Sequence, residues 1–202
     1  MAHLKIIDNL LVGEAKLFVT ALIGSNLSEN FLFHTTFHTL DVLKNSEIIG
    51  KYSQLSEDEL NFLRICALFH DVGYINAYKG HEAESATISG EFLKSKMVEK
   101  KLIQRVKNVI LSTKVPQQPF DKISRILCDA DLMHLTYDSY FEYMDLLRHE
   151  WNLCGIVNLN EREFHENSVV FFNSHSYHTV YGRKILKPLK EKTLLRIIER
   201  LK

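Results

Sequence analysis

The chain has 202 residues, enough for one well-filled core on the usual scale of about 100 to 200 residues per domain. Its 46% hydrophobic and 25% charged residues exclude a disordered chain, and 25 Lys plus Arg against 25 Asp plus Glu leave no net field to draw nucleic acid or an anionic membrane. Cys66, Cys128 and Cys154 are widely spaced and suit reduced thiols, and no apolar run nears the roughly 18 to 20 residues of a spanning helix, so a cytoplasmic protein is expected.

The segment from Met1 to Asp8 interrupts its apolar residues with charges. Ile6, Ile7, Leu10, Leu11, Ala15, Phe18, Val19 and Leu22 then recur at three- and four-residue steps, which predicts an amphipathic helix closed by Gly24, Ser25 and Asn26. Between Phe31 and Leu43 an apolar face continues through Leu40 and Leu43. His34 and His38 fall four apart there, so a helix containing both turns two imidazoles toward one space. Ser56, Glu57, Asp58 and Glu59 spell a capping box that puts a helix start near Glu57.

The run from Arg64 to Phe69 reads as buried helix ending on His70 and Asp71, with Gly73 expected to close it in a left-handed conformation. Adjacent helical side chains point about 100° apart, so this pair converges on an ion only beyond the helix end. His81 to Ala86 opens another helix whose acidic residues suit its positive end. Apolar periodicity runs on to about Leu111, with a break allowed near Met97, and Pro116 and Pro119 mark a rigid loop. A helix through Ile123 and Leu127 leads into Cys128-Asp-Ala-Asp131, where a carboxylate in apolar surroundings needs a partner. Phe141 to Trp151, Phe164 to Phe172 and Thr193 to Leu201 predict three more helices. Strand-like alternation is nearly absent, so the expected class is all-α, with one domain over 1–202, a core at about 26–137 and a helical C-terminal extension at about 138–202.

His38 in Phe-His-Thr-Leu-Asp-Val, His70 and Asp71 in Leu-Phe-His-Asp-Val-Gly-Tyr, and Asp131 in Asp-Ala-Asp-Leu follow one another in the order found in the HD superfamily of metal-dependent phosphohydrolases, which this chain resembles over roughly residues 30–137. The resemblance implies that His38, His70, Asp71 and Asp131 ligate a divalent ion. It also implies a bundle of helices and hydrolysis of a phosphate ester. Asp129 competes with Asp131 for the last place, and the Ala-Asp-Leu match favours Asp131. The residue not used as a ligand is expected to orient a ligand imidazole or to carry a surface charge.

The residues support that chemistry on their own terms. Two imidazoles and two carboxylates form a nitrogen and oxygen shell suited to manganese, iron, cobalt, nickel or zinc, with magnesium allowed. Four protein ligands leave positions open for water and a substrate oxygen. His34, one turn before His38, is a candidate to protonate the leaving oxygen or to contact phosphate. His81 matches a position resembling a second-metal ligand of binuclear relatives. Where such relatives place further histidines this chain has Ser112, Thr113 and Lys114, which argues for one ion per chain. Asp71 and His81 therefore join His34 as catalytic candidates.

Tyr74 stands where cyclic-dinucleotide phosphodiesterases of the superfamily often carry Lys, which disfavours that substrate. Lys79, Lys114, Arg148 and Arg183 are the cations that could hold phosphate. The expected partner is a small phosphate ester, in the first place a nucleotide, with no nucleic acid or membrane, and self-association as a homodimer is left open. Two other functions fit the same scaffold: a nucleotide sensor without catalysis, and a di-iron centre that oxidises its substrate.

Overall fold

The computed structural model describes residues 6–202, so the expectations for Met1 to Lys5 lie outside the described residues. The described residues are all-α, and no strand occurs among them. In chain order the helices are α1 (Asn9–Asn26), α2 (Thr36–Tyr52), α3 (Glu57–Phe69), α4 (His81–Ser95), α5 (Lys100–Leu111), α6 (Lys122–Asp131), α7 (Tyr140–Leu153), α8 (Glu161–Ser174) and α9 (Lys187–Leu201). Short 3-10 turns at Val72–Ile75 and Leu132–Thr136 follow α3 and α6, and a π-helical turn at Gly182–Leu186 precedes α9. No helix among the described residues is long and apolar enough to cross a membrane.

Helix α3 is the centre of the larger apolar core. A helix that is apolar all round must be enclosed, and from Leu60 to Phe69 every residue but Arg64 is buried. α1, α2, α5 and α6 pack around it. Arg64 turns outward to Glu47 and Glu57 at 2.7 and 2.6 Å. Full burial of Leu63, Ile65, Leu68 and Phe69 contributes about 1.5–3 kcal/mol each. The start of α3 is fixed by the capping box, with Ser56 Oγ accepting from Glu59 N and Ser56 N donating to Glu59 Oε2. Because this helix cannot shift, the residues at its C-terminal end are held in place.

A second apolar cluster gathers α7, α8 and α9 around Phe33, Leu132 and Leu135. Asp129 joins the two halves: its Oδ1 accepts from His178 N at 2.7 Å, and Oδ2 from Thr179 N and the Thr179 hydroxyl at 2.9 and 2.6 Å. The expectation that this carboxylate orients an imidazole or lies on the surface is therefore corrected: it is a fully buried acceptor for the turn that leads into α9.

Three local expectations also change. His34 precedes α2, whose N-cap is Thr35, so His34 and His38 do not share a helix. Gly73 lies in a 3-10 turn without a left-handed φ. Glycine is needed there because a Cβ would stand 2.1 Å from His81 O and 2.6 Å from Ser85 N. The last helix begins at Lys187, with a proline in its first turn, six residues before the expected start at Thr193. The break near Met97 is present, with Met97 itself at φ 59 between α4 and α5.

Candidate metal centre and catalytic site

α2 presents His38 toward the end of α3, where His70 is the capping residue and Asp71 has left the helix with φ −115 and ψ 5. α6 ends on Asp131 at the same place. One nitrogen or oxygen from each of His38, His70, Asp71 and Asp131 lies within 4.8 Å of all the others. His38 Nε2 is 3.3 Å from both Asp71 Oδ2 and Asp131 Oδ1. His70 Nε2 is 3.2 Å from Asp71 Oδ2 and 3.6 Å from Asp131 Oδ1.

The chemistry of this donor set fits a divalent cation. His70 Nδ1 donates to Ala67 O at 2.8 Å, which fixes the tautomer that turns the Nε2 lone pair inward. Two carboxylates side by side, Asp71 buried and Asp131 half-buried, call for positive charge between them, and in the protein alone the imidazoles provide it as protons. Burial alone would push His38 down, but hydrogen bonds with Asp131 and Asp71 outweigh it and hold the ring up at about 9. His70 is raised by Asp71 and Asp131 against the same burial. Burial would raise Asp71, but His70, His38 and His81 hold its carboxyl well below the usual range. Asp131 is likewise lowered by His38 and His70. A metal ion held by these four side chains would replace two buried protons in a site already arranged around positive charge.

His34 lies beside this cluster with its ring centroid 5.7 Å from that of His38. Its Nδ1 is bonded to Glu150 Oε1, and its Nε2 is 3.3 Å from the Tyr74 hydroxyl. Glu150, on α7 and fully buried, accepts from the backbone N–H groups of Leu32, Phe33 and His34 at 3.0, 2.9 and 3.0 Å, and from the Tyr78 hydroxyl at 3.1 Å. Burial would raise its carboxyl, but His34 and the backbone donors outweigh it and bring it below the ordinary glutamate value. The segment before α2 is thus folded around one carboxylate from a helix over a hundred residues away.

His81 Nδ1 donates to Tyr78 O at 3.1 Å, and its Nε2 faces Asp71 Oδ1 at 3.3 Å, on the opposite oxygen from the one that faces the cluster. Its ring stacks on Tyr74 at 3.8 Å. The close passage of α4 over Gly73 brings it there, with Gly73 N donating to Ser85 Oγ at 2.8 Å. His134 Nδ1 donates to Asp131 O at 2.9 Å, and burial next to His38 pushes this imidazole down to about 4, leaving it neutral.

A cavity of about 610 Å³ opens on these groups, and His34, His38, Asp71, His81 and Asp131 line it. Lys79 and Lys114, both exposed, also line it. Arg148 and Arg183 do not, which corrects their placement as phosphate ligands. Arg148 is half-buried on α7 and bonds to Asp145 at 3.4 Å on its own helix. Arg183 follows the turn held by Asp129 and lines a separate hollow of about 370 Å³ with Lys122 and Arg125. Glu150, Tyr78 and His134 are site residues that sequence reasoning missed. Nothing local marks the first, whose partners are long-range.

Comparison with protein families gives a match to the HD domain over residues 35–136, about half of the chain. Comparisons with curated proteins and with solved structures give no match. The matched stretch contains all four clustered residues, while Glu150 and the helices that carry the second apolar cluster lie beyond it. By that match and by the His38, His70, Asp71 and Asp131 cluster within it, the chain belongs to the HD domain family, whose members are usually metal-dependent hydrolases.

Proposed function

We propose that this protein hydrolyses a phosphate ester of a small molecule with a divalent metal ion and water. The convergence of His38, His70, Asp71 and Asp131 at one end of an open cavity supports this most directly. One ion per chain on those four side chains, manganese to zinc in the first row or magnesium, supplies Lewis-acid charge and lowers the pKa of a water in its shell.

The chain's own groups account for the remaining steps. Lys79 and Lys114 at the cavity edge attract the phosphoryl oxygens. A P–O bond forms from the water oxygen as the P–O bond to the alcohol breaks. His81, whose Nδ1–H is held by Tyr78 O, takes the proton released by the water at Nε2, and Asp71 Oδ1 at 3.3 Å balances the imidazolium. The leaving oxygen receives a proton from His34 Nε2, while Glu150 holds Nδ1–H and balances the imidazolium charge. Products are the free alcohol and inorganic phosphate, or a monoester where the substrate is a diester.

The test is metal analysis of the purified protein, then a screen of nucleotides, cyclic nucleotides and simple phosphate esters with manganese added. Asp71→Ala is expected to lose bound metal and at least about a hundredfold in turnover. Unchanged metal and turnover would refute the assignment. Two irons per chain with oxygen consumption would replace hydrolysis by oxidation, and nucleotide binding without turnover would replace it by sensing.

A further inference from the structure

The cavity is chemically divided. At one end are the clustered ligands, His34 and the two lysines. Away from them α7 contributes Tyr140, Met144, Leu147 and Trp151, spaced four, three and four residues apart so that they share one helix face. α8 faces them with Phe164, Phe171 and Phe172. Leu132 and Leu135, in the turn that starts at the ligand Asp131, connect this apolar chamber to the metal end.

Almost nothing polar faces the chamber. The Ser168 hydroxyl is committed to Phe164 O at 2.9 Å. Asn167 is exposed at the outer edge. Tyr140 is fully buried, and its hydroxyl has no hydrogen-bond partner. One orphan hydroxyl can meet a single acceptor atom, but a nucleobase edge carries several donors and acceptors, and each one buried without a partner is penalised. A hydrocarbon leaves nothing unpaired. An apolar chamber of this kind, continuous with the reacting end, calls for an apolar ligand.

We propose that the substrate is a phosphate monoester of an apolar alcohol, with its hydrocarbon part held in the chamber that α7 and α8 build beside the His38, His70, Asp71 and Asp131 cluster. The proposal rests on the hydrolytic function set out above and names its substrate class. The phosphate dianion meets Lys79 and Lys114 at the cavity edge, and the single chamber takes one organic substituent. Hydrolysis breaks the P–O bond to that substituent, adds water oxygen to phosphorus and leaves the alcohol protonated.

The experiment compares ethyl, butyl, hexyl and octyl phosphate with nucleoside monophosphates on the manganese-loaded full chain. Each further methylene is expected to raise kcat/KM about fourfold until the chamber is filled. Met144→Trp and, independently, Leu147→Trp should each lower the octyl-to-ethyl ratio at least about tenfold, because they occupy the chamber. Calorimetric titration with octanol and butanol gives a readout without turnover, with the longer alcohol tighter and a negative heat-capacity change. Turnover that ignores chain length, or nucleoside monophosphates preferred over octyl phosphate, overturns the apolar substrate and leaves hydrolysis standing. No turnover of any ester overturns the hydrolytic function, and length-dependent alcohol binding in that case would still support the chamber as a hydrocarbon site. Absence of both overturns both.

Discussion

Replacing Glu150 by glutamine keeps the shape of a buried side chain and removes its charge. In the protein its Oε2 accepts from three consecutive backbone N–H groups, and its Oε1 from the Tyr78 hydroxyl and the His34 ring. Hydrogen bonds to a charged acceptor contribute about 1.5–3 kcal/mol each, against about 0.5–1.5 for neutral ones, and bonds that converge on one group do not add. The expected loss is about 2–4 kcal/mol for Glu150→Gln in urea melts. Glu150→Ala should lose about 3–5 kcal/mol, because one buried and two half-buried donors are then left bare. The effect on turnover is separate. An amide N–H turned toward His34 favours the tautomer with its proton on Nε2, and the imidazolium loses its counter-charge. A positioned general acid is worth about 10²–10⁴-fold, so kcat/KM for a phosphate ester is expected to fall about a hundredfold with metal content unchanged. His34→Gln should fall as far, and the double variant no further. Full turnover in Glu150→Gln beside a depleted His34→Gln, or losses that multiply in the double variant, would refute the coupling of Glu150 to His34.

The same carboxyl sets a pH dependence. Its folded value lies below that of the unfolded chain, about 4.3, so its contribution is fully present above that pH and disappears as pH falls through the folded value. The stability gap between the parent and Glu150→Gln should be constant from pH 7 to 5 and shrink below about 4.3, and a gap that persists unchanged at pH 3 would contradict this. Gly73→Ala should destabilise by about 1–3 kcal/mol, since the new Cβ meets backbone 2.1 Å away, and should reduce turnover by moving His81. Parent-like melting and kinetics would show that the close approach is not needed. Asp129→Ala removes the acceptor of three hydrogen bonds and should cost about 2–4 kcal/mol. Hydrogen exchange should rise in α9 before α3, and uniform exchange across both would argue against a local role.

The parts of the fold legible in the sequence are those fixed by near neighbours. Ser56 and Glu59 satisfy each other across one turn, and the break at Met97 falls where apolar periodicity shifts between α4 and α5. The four clustered residues were legible through the resemblance of their order and flanking motifs to the HD superfamily, and His70 and Asp71 follow a helix too apolar to be exposed. What escaped was long-range. The segment around His34 looks helical by spacing, but three of its N–H groups go to Glu150, more than a hundred residues away, and the helix begins after them. Gly73 reads as a helix terminator until α4 is seen to pass over it. The Ala-Asp-Leu match favours Asp131 over Asp129 as the clustered carboxylate, but the role of Asp129 appears only with the turn at 178–179. Pro188 was a local start signal for α9 that apolar periodicity alone passes over.

The division of labour along the chain follows from where each contact closes. His38, His70, Asp71 and Asp131 come from α2, the end of α3 and α6, which pack on one another within the family-matched stretch, so the whole cluster lies within that stretch. The His34 ring is different, since Glu150 on α7 holds both its Nδ1 and the backbone beneath it. The chamber beyond the ligands is different again, since α7 and α8 supply most of its wall. On the proposed function, metal affinity should follow the matched stretch, while proton delivery and substrate choice follow the helices after it. HD domains with the same four ligands and other C-terminal helices are then free to diverge in substrate without any change at the metal.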